Sequence, residues 1–231
     1  MKKVQKHFKQ EALDFDEIIK RSIPFYRQML EAIIDQLIFP KNSSPEILDL
    51  GTGTGEIAKN ILIRIPDANL TIVDFVPEML QVAKNKLSSI VRRKNQVRYI
   101  EADFSKWKFD QPYDAVVANL TLHHLKTERD KKVNYQMIFK NLKSSGILCV
   151  GDIILGTDKM LTELYIEKWI KFQFANKWSK KEIAERMQRY KTEDCPASLV
   201  NHLKWLEEIG FVKVDCFWKY YNFAVWGGRK G

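Results

Sequence analysis

Short apolar runs recur along the chain at residues 47–50, 70–74, 97–102, 113–118 and 147–154. They are continuous rather than alternating, and at four to eight residues they are too short for buried helices, so they read as strands covered on both faces. Helical periodicity fills the intervals at 55–65, 77–91 and 129–142. Pro77 suits the first turn of its helix, where a missing N–H leaves nothing unpaired, and Gly146 is expected to close the turn after the third helix. Strands separated by helix-length segments pair in parallel through right-handed crossovers. The pattern predicts an α/β fold on a doubly wound sheet.

Two regions stand outside the alternation. Residues 15–39 read as helical, interrupted at Pro24. Residues 159–191 form a long charged and aromatic helical stretch, broken near 176–179 and ended before Pro196. The alternation resumes with a helix at 198–210, which Gly210 is suited to cap, and two strands at 212–218 and 221–226, expected as an antiparallel pair at the sheet edge. The fold class expected is thus a mostly parallel seven-stranded sheet in a single domain over 1–231, with N-terminal helices at 1–42 and a helical lid inserted after strand five at 157–196.

The first strand runs into Gly51-Thr52-Gly53-Thr54-Gly55-Glu56, and the second ends on Asp74. Glycines let the backbone turn tightly and admit a ligand, and strand, turn, helix start and distant acid together describe a nucleotide-type cradle. A dinucleotide fingerprint would carry a small residue at position 56. Glu56 stands there instead, where its charge opposes a phosphate at a helix N-terminus, and no Gly-Lys-Ser/Thr of a P-loop follows. A nucleoside without phosphates fits the turn. Asp74 is placed to accept from a ribose diol, Asp103 from an adenine amino group, with the Phe104 N–H donating to the ring. Asn119 ends the fourth strand, where the reactive centre would lie. Asp74 and Asp103 also read as helix N-caps, and Phe104 as a core residue.

These features, in order and at strand ends, resemble the class I S-adenosylmethionine (SAM) dependent methyltransferases. Within that superfamily the likeness extends to the carboxy-SAM synthases, a family linked to tRNA wobble-uridine modification, through residues 21–26, 119–125, 178–183 and 198–211 leading into 221–223; it covers roughly 20–229. The resemblance implies a Rossmann-like methyltransferase fold, SAM as cofactor, and cofactor contacts from Tyr26, Gly51, Thr52, Gly53, Asp74, Phe75, Asp103, Phe104 and Asn119. That family pairs an arginine of its helical cover with the extra carboxylate of its product. An ungapped match from Ser198 backwards puts Met187 at that position, with Arg186 one residue away and rotated by about 100° around the helix. Methyl transfer from SAM to a small-molecule acceptor is therefore expected, with a carboxy-SAM synthase-like reaction as the alternative.

Such chemistry needs alignment and dryness rather than a protein nucleophile, and the sequence has no metal-ligand spacing. His123 and His124 are the candidate general bases, because an imidazole titrates near neutrality; a structural or capping role is the other reading. Tyr26 with Tyr165, Trp169, Phe172, Phe174 and Trp178 could line an acceptor pocket, or at helical spacing form core or a homodimer contact.

Composition changes this picture little. No apolar run approaches the roughly 18–20 residues of a membrane span, and the basic start lacks the apolar region of a signal peptide, so a cytoplasmic protein without a membrane partner is expected. Three widely spaced cysteines read as reduced structural thiols. The net charge of +9, from 38 Lys+Arg against 29 Asp+Glu, falls in short groups such as Arg92-Arg93-Lys94. That leaves nucleic acid as a secondary partner beside the plainer reading of solvated lysine faces.

Overall fold

The computed structural model describes residues 14–231; the first part of the expected N-terminal region, 1–13, lies outside the described residues. In chain order the helices are α1 (Phe15–Ser22), α2 (Tyr26–Asp35), α3 (Glu56–Arg64), α4 (Pro77–Leu87), α5 (Glu128–Asn141), α6 (Lys159–Ala175), α7 (Lys180–Glu193) and α8 (Leu199–Ile209). The strands are β1 (Glu46–Leu50), β2 (Asn69–Asp74), β3 (Val97–Glu101), β4 (Tyr113–Asn119), β5 (Leu142–Ile153), β6 (Phe211–Tyr220) and β7 (Phe223–Lys230). They form one sheet in the order β3-β2-β1-β4-β5-β7-β6. The first five pair in parallel, and β7 and β6 complete the sheet antiparallel. Strand order reverses between β1 and β4, which opens a crevice beyond their carboxyl ends.

The continuous apolar strands are explained by their two covers. Ile47, Ile72, Val117 and Cys149 meet Met29 and Ile33 of α2 and Ile57 and Ile61 of α3 on one face. Their neighbours Leu48, Val73, Val116 and Val150 meet Tyr135 and Ile138 of α5 and Trp205 and Leu206 of α8 on the other. Capping boxes start α5 (Thr127 with Asp130) and α7 (Ser179 with Glu182). Gly210, with φ of 110°, ends α8 in the left-handed conformation.

The strand β5 departs from expectation. It begins at Leu142, and Gly146 lies inside it rather than in a turn. Leu142 pairs with Tyr113, and the register then shifts before Ile147 pairs with Ala115. Polar Lys143-Ser144-Ser145, with Ser145 at φ 61°, thus sits in an irregular strand start, where backbone pairing overrides side-chain polarity.

The helices α6 and α7 are tied to the end of α1. Trp169 Nε1 donates to the Ser22 carbonyl at 2.7 Å and Trp178 Nε1 to the Arg21 carbonyl at 3.1 Å. Arg21 donates in return to the carbonyls of Asn176 (3.3 Å) and Lys177 (3.2 Å). The guanidinium groups of Arg21 and Arg186 both lie over the Trp178 ring, 4.4 and 4.0 Å from its centroid. Among the described residues no helix is long and apolar enough to cross a membrane.

Asp49 is an acid inside this apolar frame. It is fully buried in β1 and accepts from Thr52 Oγ1 at 2.6 Å. Burial pushes its carboxyl up to about 7; the Thr52 hydrogen bond opposes the shift and the Asp74 charge adds to it. The unfolded chain ionises this group at about pH 4 and the native chain only near 7, so the native state holds the extra proton between those values. Stability from this site therefore falls as pH rises through that window and is level above it. For Asp49→Asn, the melting temperature relative to the parent should climb steadily from about pH 4 to about pH 7 and then plateau; a pH-independent difference would refute the assignment.

Candidate functional site

The turn after β1 is left-handed at Gly51, Gly53 and Gly55, with φ of 67°, 54° and 77°, values that side chains with a Cβ rarely adopt. The Gly51 and Thr52 N–H groups both donate to the Val73 carbonyl, at 2.8 and 3.0 Å. Asp74, at the end of β2, completes the anchorage: its Oδ2 accepts from the Gly53 N–H at 2.8 Å and its Oδ1 from the Val76 N–H at 2.9 Å. Burial raises the Asp74 carboxyl above its ordinary range, against the lowering effect of these backbone hydrogen bonds. A Cβ at Gly51 would strike Thr121 Cγ2 at 2.4 Å, whereas one at Gly53 would project toward open space, with Phe15 nearest at 3.8 Å.

That space is a cavity of about 70 Å³. Of the sequence-predicted cofactor residues, Tyr26, Gly51, Thr52, Gly53, Asp74, Phe75, Phe104 and Asn119 line it. Asp103 does not: its Oδ1 accepts from the Ser105 N–H (3.0 Å) and hydroxyl (2.6 Å), capping a turn. Met79, Leu120 and Thr121 are lining residues that sequence reasoning missed, and the candidate base His124 lines the cavity as well. Asn119 Nδ2 donates to the Tyr26 hydroxyl at 3.1 Å, joining β4 to α2 across the crevice. Lys86 Nζ draws together Asp16 (2.5 Å), Glu56 (2.9 Å) and Thr54 Oγ1 (3.3 Å), which seats α1 on the glycine turn.

A second cavity of about 150 Å³ adjoins the first, and Phe15, Leu120 and His124 line both. Its other walls include His123, Trp169, Arg186, Arg189, Tyr190, Glu193 and Asp194. Of the helical aromatics expected here, Trp169 alone lines it. Trp178 has two arginines over its ring, Phe174 is 44% exposed, Tyr165 packs edge-on against Tyr221, and Phe172 is not a wall residue. Met187 turns inward against the core while Arg186 lines the cavity.

The predicted histidines meet two carboxylates that sequence reasoning missed. His123 and His124 form a short 3-10 turn after β4, with ring centroids 4.0 Å apart. His123 Nδ1 lies 2.5 Å from Asp152 Oδ1, and Asp152 also accepts from the His123 and Ile153 N–H groups at 3.0 and 2.7 Å. On the cavity side, Asp194 Oδ1 lies 3.6 Å from His123 Nε2 and 3.4 Å from His124 Nδ1. Burial disfavours a charged His123 ring, but the Asp152 and Asp194 carboxylates outweigh it and raise its pKa. Burial and the adjacent His123 charge lower that of His124. The lone acid in the apolar run 147–154 was the available signal for Asp152; nothing local pointed to Asp194.

A family model described as "Methyltransferase domain" matches residues 47–146. The chain is 32% identical over 213 residues to the carboxy-S-adenosyl-L-methionine synthase of Campylobacter jejuni subsp. jejuni serotype O:2, covering 91% of this chain and 88% of the relative. It is 30% identical over 222 residues to the synthase of the same name from Helicobacter pylori strain HPAG1, covering 94% and 90%. Among solved structures it is similar to an O-methyltransferase family 2 protein from Planctomyces limnophilus in complex with apigenin (TM-score 0.68, 17% identity, 98% of this chain). It is also similar to human N-acetylserotonin methyltransferase in complex with SAM (TM-score 0.62, 20% identity, 98% of this chain). This chain spans 62% and 56% of those two solved chains, and the likeness is one of fold. With a nucleoside cradle at the strand-order switch and relatives matched over nine-tenths of its length, the chain belongs to the class I SAM-dependent methyltransferases, in the family that includes these carboxy-SAM synthases.

Proposed function

We propose that this methyltransferase binds SAM in the cavity of the glycine turn and methylates a small molecule held in the adjoining cavity. The observation that carries this reading is the shared wall of Phe15, Leu120 and His124, which sets two ligand spaces side by side at the switch in strand order. The residues present fit SAM. Gly53 leaves open the volume that a Cβ would enter, and the apolar Phe75, Met79 and Phe104 line the cavity together with Asp74. When bound, SAM supplies an electrophilic methyl group on a sulfonium.

The chain's own work is positioning and exclusion of water. The Tyr26–Asn119 hydrogen bond holds two walls at a set distance, and the Trp169 and Trp178 hydrogen bonds hold the α6–α7 cover on α1. Burial and the adjacent His123 charge lower the His124 pKa and so favour its neutral ring, which can help draw a proton from an acceptor hydroxyl, amine or thiol. A second reading, carboxyl transfer to SAM, is favoured by the relatives' names and by Arg186 and Arg189 in the cavity wall, where guanidinium groups suit a carboxylate.

Asp74→Ala should weaken SAM binding roughly 10- to 150-fold, about 1.5–3 kcal/mol, by removing a charged acceptor and the pin on Gly53; titration calorimetry reads this, and unchanged affinity would leave Asp74 as a cap only. His124→Ala should lower kcat by about 100-fold or more while the SAM dissociation constant moves less than about tenfold; an equal loss in both would assign His124 to cofactor binding alone. Mass spectrometry of the nucleoside released from the purified protein separates the two readings. SAM or its demethylated product supports methyl transfer, a carboxylated SAM supports the second reading, and no nucleoside together with no calorimetric SAM binding would sink both.

A further inference from the structure

The histidine pair and its carboxylates have the layout of a metal centre. The candidate ligand atoms of His123, His124 and Asp194 all lie within 4.8 Å of one another. The two separations from Asp194 Oδ1, 3.6 Å to His123 Nε2 and 3.4 Å to His124 Nδ1, match the roughly 3.4 Å edge of a tetrahedron whose metal–ligand bonds are about 2.1 Å. The supporting shell is built as well. Asp152, itself buried and held by two backbone N–H groups, takes the Nδ1 side of His123 and so turns Nε2 toward the cavity, as the outer carboxylate of a carboxylate–histidine–metal triad does. The Cys195 N–H donates to the His123 carbonyl at 2.8 Å, which fixes Asp194 against the histidine turn by main-chain pairing. The Asp152 and Asp194 carboxylates supply two negative charges toward a divalent ion, in a cavity wall that also holds Arg186 and Arg189.

We propose that His123, His124 and Asp194 bind a divalent cation of the zinc class, with Asp152 orienting His123 and the fourth position open to the acceptor cavity. There the ion would take an oxygen, nitrogen or sulfur of the acceptor and lower its pKa, so that the proton passes to solvent water before the acceptor's lone pair takes the methyl group from the SAM sulfonium, whose S–CH3 bond breaks to leave a neutral thioether. As a ligand of the ion, His124 no longer serves as the free base, and its substitution would act on methylation through the ion. The role in methylation rests on the proposed function; the binding of the ion does not.

The test uses the full chain, stripped with a chelator and titrated with zinc in the absence of SAM against a competing chromophoric chelator. One ion per chain is expected. Asp194→Ala and His124→Ala should each weaken it by about 100-fold or more, and Asp152→Asn by about 10- to 100-fold, with circular dichroism confirming the fold of each variant. Cobalt(II) bound to the unmutated chain supplies a readout free of folding effects. Tetrahedral visible absorption without a thiolate charge-transfer band is expected for an N/O ligand set. Substoichiometric zinc, affinity unchanged in the Asp194 and His124 variants, or a thiolate band placing the ion on a cysteine would each overturn the proposal. Failure of SAM binding with retained zinc binding would instead count against the methyltransferase cavity assignment.

Discussion

The carboxylate of Asp74 is the interaction on which the site depends. One oxygen holds the Gly53 N–H and the other the Val76 N–H, so a single side chain joins the turn after β1 to the start of α4. A left-handed turn has no ladder of its own, and its N–H groups need partners. Two are supplied by the Val73 carbonyl and one by Asp74. The register of β1 against β2, with Leu50 opposite Val73, brings these partners into reach. Parallel pairing, the glycine turn and the cavity are thus consequences of one local geometry.

The cover over the site has a different basis. It rests on contacts between segments far apart in the chain, and two of the segments that carry the family resemblance, 21–26 and 178–183, prove to touch each other. The Trp178 indole donates to the Arg21 carbonyl, the Arg21 guanidinium donates to the Lys177 carbonyl and lies over the Trp178 ring, and the Arg186 guanidinium lies over the same ring. A tryptophan with two guanidinium groups over its ring is an orienting device as much as a stabilising one, because the planar cations fix the angle of both helices against the ring.

What was legible in the sequence was local. The alternation of strands and helices, the glycine turn, Asp74, Phe104 and Asn119 all follow from short-range pattern and strand-end position, and they lie where that logic puts them; Phe75 came from the family resemblance. Asp103 left the cavity wall because Ser105 offers its carboxylate two nearer donors. The start of β5 was hidden because Lys143-Ser144-Ser145 has the polarity of a turn but the backbone pairing of a strand. Arg186, Arg189, Tyr190 and Asp194 lie on or just beyond α7, whose placement is decided by tertiary contacts to α1 and the histidine turn. No periodicity in their own neighbourhood says which face meets the cavity, and this is also why Met187 and Arg186 could not be told apart.

Phe15 stands in the wall of both cavities, and α1, which carries it, is seated by the Lys86 cluster and by the two tryptophans of the cover. One helix is therefore common to the walls of both cavities, and a displacement of α1 would alter both at once. Ligands held in the two cavities would be linked through it, each changing the other's affinity by the same factor.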